Sequence, residues 1–411
     1  MIVSFLIPLK NPLASIIELW YNRTVSYRNG GFFENMEYYL DHAATTKPCP
    51  AAVDALLRCL STHYGNPSSL HRFGVEAQRE VEQARAILAA VLGCTPQEVV
   101  FTSGATESNH LAITGAVQTY GKRKKKLVVS AVEHASVRNT MQFLQDSGYE
   151  VVTIAPDATG IYHASDFLDA IDSNTCLLSM MMVNNETGYR LPVQTVFRAA
   201  KRKFPELITH CDAVQGFLKV PFQVRSLQAD LLSISGHKVH GVKGVGALYQ
   251  KNGIHLHPTF HGGSQERGLR PGTENVPAIA AFGAAVQTYG STVRERYQAV
   301  TEKKAYLLER LQELPNCKIH SVEDASPYII SFSLRPYRSE ILLHFLEKRE
   351  IFVSSGSACS KGKNSGVPVL FGATDAEADS ILRVSLSAET PNTALDALVS
   401  SLQEATKTLL Y

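Results

Sequence analysis

Between Val99 and Tyr249 the chain alternates short apolar runs with helix-like stretches, and no other feature restricts its architecture as tightly. The runs are Val99–Thr102, Leu127–Ser130, 150–154, Leu177–Val183, Leu207–Cys211, Leu231–Ser235 and Gly246–Tyr249. Helical patterns lie between them, for example at 164–171 and 193–203. Strands of this length separated by helices predict an α/β fold, a mostly parallel sheet covered on both faces. Upstream, helices are predicted at 51–62 and 72–92; in the second, Val81, Ala84, Leu88 and Val91 recur at helical spacing and Gly93 ends the run. Beyond Pro277 the pattern changes. Helical stretches at 278–290 and 294–313 lead to strands at 317–320, 328–333, 351–353 and 382–386, mixed with helices at 339–348, 375–381 and 392–409. We expect a large domain over 36–290 and a smaller C-terminal α+β domain over 291–411, with 36–60 able to pack against the latter.

With 411 residues the chain is long enough for two cores. Its formal charge of +2 gives no reason to expect nucleic acid or an anionic membrane as partner. The basic run Lys122–Lys126 precedes a strand and reads as a solvated loop. Seven cysteines without a CxxC pair fit neither a disulfide framework nor a zinc site, which makes a reducing cytoplasm the expected compartment. Met1–Leu9 is apolar, lacks a preceding basic residue and is too short to span a bilayer. Residues 1–35 predict a poorly ordered extension, with Met36 as the physiological start.

Ligands of open α/β sheets bind outside the carboxyl ends of the strands. At that position after Leu231–Ser235 come Gly236, His237 and Lys238. A lysine held there against apolar walls can act as a nucleophile and form a Schiff base, most often with pyridoxal 5′-phosphate. Lys243 competes for the role. The cofactor's phosphate needs donors: Ser103-Gly104-Ala105-Thr106 opens a helix, whose first-turn N–H groups at Ala105 and Thr106 are free, and Ser235 and His237 flank Gly236. A protonated pyridine nitrogen needs a carboxylate, and Asp212 ends a strand; Gln215, three residues on, suits the phenolate oxygen. His134 can stack on the ring and shuttle protons. Asn185 and Arg383 follow or lie within strands, and Arg383 suits a substrate carboxylate.

With these residues assembled, the chain resembles the cysteine desulfurases, class V aminotransferases of the fold-type I pyridoxal phosphate group. The motifs run from Tyr39-Leu40-Asp41-His42-Ala43-Ala44-Thr45-Thr46 and Gly65-Asn66-Pro67-Ser68-Ser69 through Phe101–Asn109, Val183–Gly188, Ser235-Gly236-His237-Lys238, His261-Gly262-Gly263 and Arg267–Thr273 to Ser354-Ser355-Gly356-Ser357-Ala358-Cys359. The resemblance implies a pyridoxal phosphate transferase fold with a seven-stranded sheet in the large domain. It makes Lys238 the Schiff-base residue in place of Lys243, and puts His134 on the ring, Asp212 at the pyridine nitrogen and Gln215 at the phenolate. Ala105, Thr106, Ser235 and His237 would hold the phosphate, Thr273 the phosphate of the neighbouring subunit in a homodimer, and Asn185 and Arg383 the carboxylate of L-cysteine. Cys359 would take the sulfur as a persulfide. It is followed by Ser360-Lys361-Gly362-Lys363-Asn364-Ser365-Gly366, a composition that predicts a mobile loop and favours thiolate. This Lys/Gly-rich segment departs from the Ser/Leu/Glu-rich one of the best-known members, which bears on the choice of partner.

Implied acceptors are iron–sulfur scaffold proteins or tRNA-thiolation enzymes, and Cys359 is the candidate transient iron–sulfur ligand. The rival readings are a selenocysteine lyase, a plain class V transaminase, which has no use for Cys359, and a non-catalytic sulfur carrier. A dinucleotide-binding fold would need a G-x-G-x-x-G after the first strand, and none is there.

Overall fold

The computed structural model describes residues 37–355 and 366–409. The expectations for residues 1–35 and for Cys359 lie outside them.

Seven strands form the main sheet: β2 (Val99–Thr102), β3 (Lys126–Ser130), β4 (Glu150–Ile154), β5 (Thr175–Met181), β6 (Ile208–Asp212), β7 (Leu231–Ser235) and β8 (Gly246–Gln250). Their order is β2-β8-β7-β6-β5-β3-β4. Strands β4, β3, β5, β6 and β7 pair in parallel, and β8 runs antiparallel to both its neighbours. Successive residues of a strand point to opposite faces, and here they feed two apolar clusters. Val100, Leu127, Val129, Leu177, Leu231 and Leu248 join one; Val99, Phe101, Val128, Leu178, Leu232 and Ala247 join the other. The sheet is therefore covered on both sides, which is why its central strands read as unbroken apolar runs. Edge strand β4 is the exception: Glu150 and Thr153 are exposed.

Helix α1 (Pro50–Ser61) and helix α2 (Arg72–Leu92) precede the sheet, with Gly93 in the left-handed conformation (φ 73°) closing α2. Helix α3 (Ala105–Tyr120) follows β2 and helix α4 (Ala135–Asp146) follows β3. Farther on, helix α5 (Val276–Tyr289) packs against α1 and α2, and the next long helix runs Val293–Gln312. A second sheet holds β9 (Cys317–Ile319), β10 (Ile329–Leu334) and β12 (Ile381–Ser385), all antiparallel. The segment expected to be helical over 375–381 stops at Ala378, because Ile381 is already paired with Ser333 in this sheet.

The short N-terminal strand β1 (Tyr38–Tyr39) pairs in parallel with β11 (Ile351–Phe352). An isolated bridge between Asp41 and Ser385 extends that attachment. Residues 41–46 are thereby led from the second sheet toward the carboxyl end of β7.

Candidate active site

Neighbouring strand ends define the site. In register, Met181 of β5 lies beside Asp212 of β6, Asp212 beside Ser233 of β7, and Ser235 beside Gly246 of β8, which lies beside Thr102 of β2. Residues just past these positions crowd one edge of the sheet.

Lys238 ends a single 3-10 turn, Gly236–Lys238, directly after β7. A Cβ at Gly236 would lie 2.9 Å from Val245 Cγ1, so the turn tolerates no side chain there. The Lys238 Nζ donates to the carbonyls of Ala43 and Ala44, both at 2.7 Å. That arc is fixed from below: the Thr46 N–H and hydroxyl each donate to the His237 carbonyl at 2.9 Å. Lys243 is exposed.

On the β2 side, helix α3 begins after Gly104 with no side-chain cap, so its first-turn N–H groups, including Ala105 and Thr106, lack intrahelical acceptors. Gly246 backs this turn; a Cβ on it would come within 2.7 Å of the Gly104 Cα, while one on Gly104 would meet nothing within 4 Å. Ser235 is buried beside it. The His237 Nδ1 lies 3.2 Å from the Thr45 hydroxyl. Burial, then the charges of Lys238, Lys243 and Lys219, push the His237 ring down to about 4, so it is neutral and can donate from one nitrogen.

Asp212 is buried, accepts from the Val214 N–H (3.0 Å) and the Asn109 side-chain amide (2.8 Å), and has no cationic partner among the described residues. The same Asn109 nitrogen donates to the Ser136 hydroxyl at 2.9 Å, and that hydroxyl lies 2.9 Å from His134 Nδ1. His134 caps α4 by accepting from the Ser136 N–H. Burial holds its ring below the ordinary imidazole value; the Asp212 charge opposes this and Lys238 adds to it. Gln215 donates through Nε2 to the Ala43 carbonyl (2.9 Å) and accepts from Lys219 Nζ (2.8 Å).

Arg383, in β12, is 2% exposed. Its Nη2 donates to Asp41 (2.7 Å) and its Nη1 to the backbone carbonyl of Asn185 (2.9 Å), while Nε has no partner. The structure thus joins Arg383 and Asn185 through the Asn185 main chain. Ser354 bridges to Arg383 by two backbone hydrogen bonds, so the segment leading to Cys359 departs beside that arginine. Thr273 is exposed on its own chain. Among the described residues no group of three or more His, Cys, Asp or Glu side chains is arranged to hold a metal, and no helix is long and apolar enough to cross a membrane.

Residues 38–398 match the family model for class-V aminotransferases. The chain is 35% identical over 385 residues to a mitochondrial cysteine desulfurase of Candida albicans, covering 92% of this chain and 78% of the relative. It is 37% identical over 330 residues to the cysteine desulfurase IscS of Dictyoglomus turgidum, covering 79% and 82%. A solved structure described as a NifS-like protein superposes with a TM-score of 0.86 at 33% identity, covering 91% of this chain and all of that one. The chain belongs to the class V aminotransferases, among the cysteine desulfurases.

A cysteine desulfurase of this class uses pyridoxal 5′-phosphate, and the residues here fit it. The uncompensated Asp212 carboxylate suits a cationic pyridine nitrogen. The open space over Gly104, the uncapped helix start and neutral His237 suit a phosphate. The Lys238 amine comes from the turn that follows the next strand, β7. Sequence reasoning missed three residues packed into this desulfurase site: Asn109, Lys219 and Glu133. Asn109 lies inside a quoted motif, but nothing in the sequence says which way a mid-helix amide faces. Lys219 is one lysine among many until burial singles it out. Glu133, fully buried, accepts from the Ser130 hydroxyl (2.5 Å) and the Met181 N–H (2.6 Å) on Oε1 and leaves Oε2 unpartnered. Burial, with Asp212 adding to it, lifts its carboxyl to about 8.

Proposed function

We propose that the chain removes sulfur from free L-cysteine, yielding L-alanine and a persulfide on Cys359 that is passed to an acceptor protein. The observation that carries this reading is the placement of an amine, Lys238, in the turn after β7, one strand over from the buried carboxylate Asp212, which has no cationic partner among the described residues, while Ser354, on the segment leading to Cys359, pairs with the backbone of Arg383. Bound pyridoxal phosphate supplies an aldehyde that captures an amine and a ring that takes up the electron pair released at Cα.

The chain's own residues do the rest. Asp212 fixes the charge on the ring nitrogen, and Asn109 keeps that carboxylate and the Ser136–His134 pair in one network. Arg383 and Asn185 orient the substrate carboxylate; the unpartnered Nε of Arg383 is one free donor for it. Once free, the Lys238 amine takes the Cα proton. The Cys359 thiolate attacks the substrate sulfur: an S–S bond forms, the C–S bond breaks, and its electron pair stays with carbon. Cβ, which keeps that pair, needs a proton, and this falls to His134, whose neutral ring must first take one up; the Lys238 ammonium gives its proton back to Cα, which completes alanine. Five residues span at most roughly 18 Å, so the chain tethers Cys359 within that distance of Ser354.

We further propose a homodimer in which Thr273 completes the partner's phosphate site, an iron–sulfur scaffold or tRNA-thiolation enzyme as acceptor, and a reducing compartment such as the cytoplasm. The six described cysteines are all free thiols, which supports the last point. We place the division between the cofactor-binding part and the C-terminal part at residue 290.

Single-turnover assays with L-cysteine test the central reading. The protein should release one alanine per site and carry a persulfide at residue 359 by peptide mass mapping. C359S should bind cofactor and form no persulfide; alanine release from C359S at the wild-type rate would overturn the assignment.

A further inference from the structure

Lys219 is 7% exposed, and none of the described carboxylates lies within ion-pair distance of it. Its Nζ donates to Gln215 Oε1 at 2.8 Å. The charges it senses are those of Lys238 and Arg383, both positive. A buried ammonium is costly without an anion nearby. The chain takes an unusual path to place it. Leu218 adopts a left-handed φ of 56°, and the Lys219 and Val220 N–H groups both donate to the Gly216 carbonyl. This doubles the segment back so that Lys219 meets the side chain four residues before it.

The contact has a directional consequence. An ammonium can only donate, so the Gln215 atom facing it must be the oxygen. That sets the amide with its NH2 group on the other side, toward the Ala43 carbonyl, which also accepts from Lys238. One N–H of that NH2 group remains, beside the amine that captures the cofactor.

We propose that Lys219 is a positioning residue that locks the Gln215 amide with its NH2 group toward the phenolate oxygen of bound pyridoxal phosphate. The proposal rests on Gln215 serving that oxygen. A donor held there favours the phenolate anion and disfavours a proton on the neighbouring nitrogen. Burial, with Lys238 and Arg383 adding to it, lowers the Lys219 ammonium to about 7, so an anion arriving at this site also secures its charge.

The test is a pH titration of the visible absorbance of the cofactor-loaded protein, read as the midpoint of the spectral change. K219M should raise that midpoint by about one pH unit or more. Q215L should raise it too, and adding K219M to Q215L should move it by less than half of what K219M does alone. If Q215L shifts the midpoint and K219M does not, or if the two shifts add in full, the inference is overturned while the role of Gln215 stands. If neither variant shifts it, both fall, and the desulfurase reading is judged separately by alanine release. Should K219M not fold, K219Q, which removes the charge and keeps a polar group, is read in the same titration.

Discussion

At the residue scale the site depends on which buried charges have partners. Lys238→Ala removes the amine that donates to the Ala43 and Ala44 carbonyls. Mixed with pyridoxal phosphate, this variant should develop no lysine-linked visible band, and alanine release should fall to background; a wild-type spectrum would mean that another lysine captures the cofactor. Glu133 makes a different prediction. Its carboxyl keeps a proton in the fold up to about pH 8, whereas its ordinary value is 4.5. Within that window the folded chain binds a proton that the unfolded chain has lost, so stability falls as pH rises through it. Glu133→Gln removes the dependence, and its stability relative to wild type should improve from pH 5 to pH 9, by on the order of 4 kcal/mol at most. Denaturant titrations at the two pH values check this; a constant difference would show that Glu133 is ionised in the fold. Asp212 was legible in the sequence because a carboxylate closing an apolar strand needs a reason. Glu133 and Lys219 were not, because their environment is made by β5 and by a left-handed turn that no local pattern announces.

At the element scale the alternation of apolar runs and helices fixed most strands to within a residue or two, since a strand buried on both faces leaves an unmistakable run. It did not reveal that β8 enters between β2 and β7 in the opposite direction, nor that β4 is an edge, because strand order is decided by contacts between distant segments. The turn Gln265–Gly268 shows how such contacts act. Glu266 and Arg267 both adopt positive φ (45° and 58°), which side chains other than glycine rarely do. The turn is pinned from α2: Arg85 donates to both oxygens of Glu266 (2.8 and 2.7 Å) and to the Val99 carbonyl, and Glu266 also accepts from the Phe101 N–H. Arg85 and Glu266 are both buried. Arg85→Met leaves a buried carboxylate without its cation, and should cost roughly 3–5 kcal/mol, read as a lower denaturation midpoint. The double variant R85M/E266M should recover only part of this, because the Val99 carbonyl and Phe101 N–H would still have lost partners. Full recovery would mean that the pair's two backbone contacts contribute nothing.

At the scale of the whole molecule, helix α1 has apolar residues on two sides. Ala52, Ala55 and Cys59 are buried, the first against α5. Val53, Leu57 and Leu60 are exposed at 38%, 56% and 58%, and the loop that follows adds Tyr64 at 66% and Leu70 at 99%. The spacing of the three helical residues, four and then three apart, aligns them in one stripe. Such a stripe, with two more large apolar side chains exposed in the loop that follows, is a surface that a folded chain normally covers, and Thr273 is exposed on its own chain. A second copy answers both. The wild-type protein should therefore sediment as a dimer at micromolar concentration, and L57D/L60D should shift it toward monomer. On the proposal that Thr273 completes the partner's phosphate site, L57D/L60D should also bind pyridoxal phosphate more weakly, and Thr273→Val should weaken cofactor binding while leaving the dimer intact. A dimer indifferent to L57D/L60D would place the interface on another face. A monomer with full cofactor affinity would remove Thr273 from the site altogether.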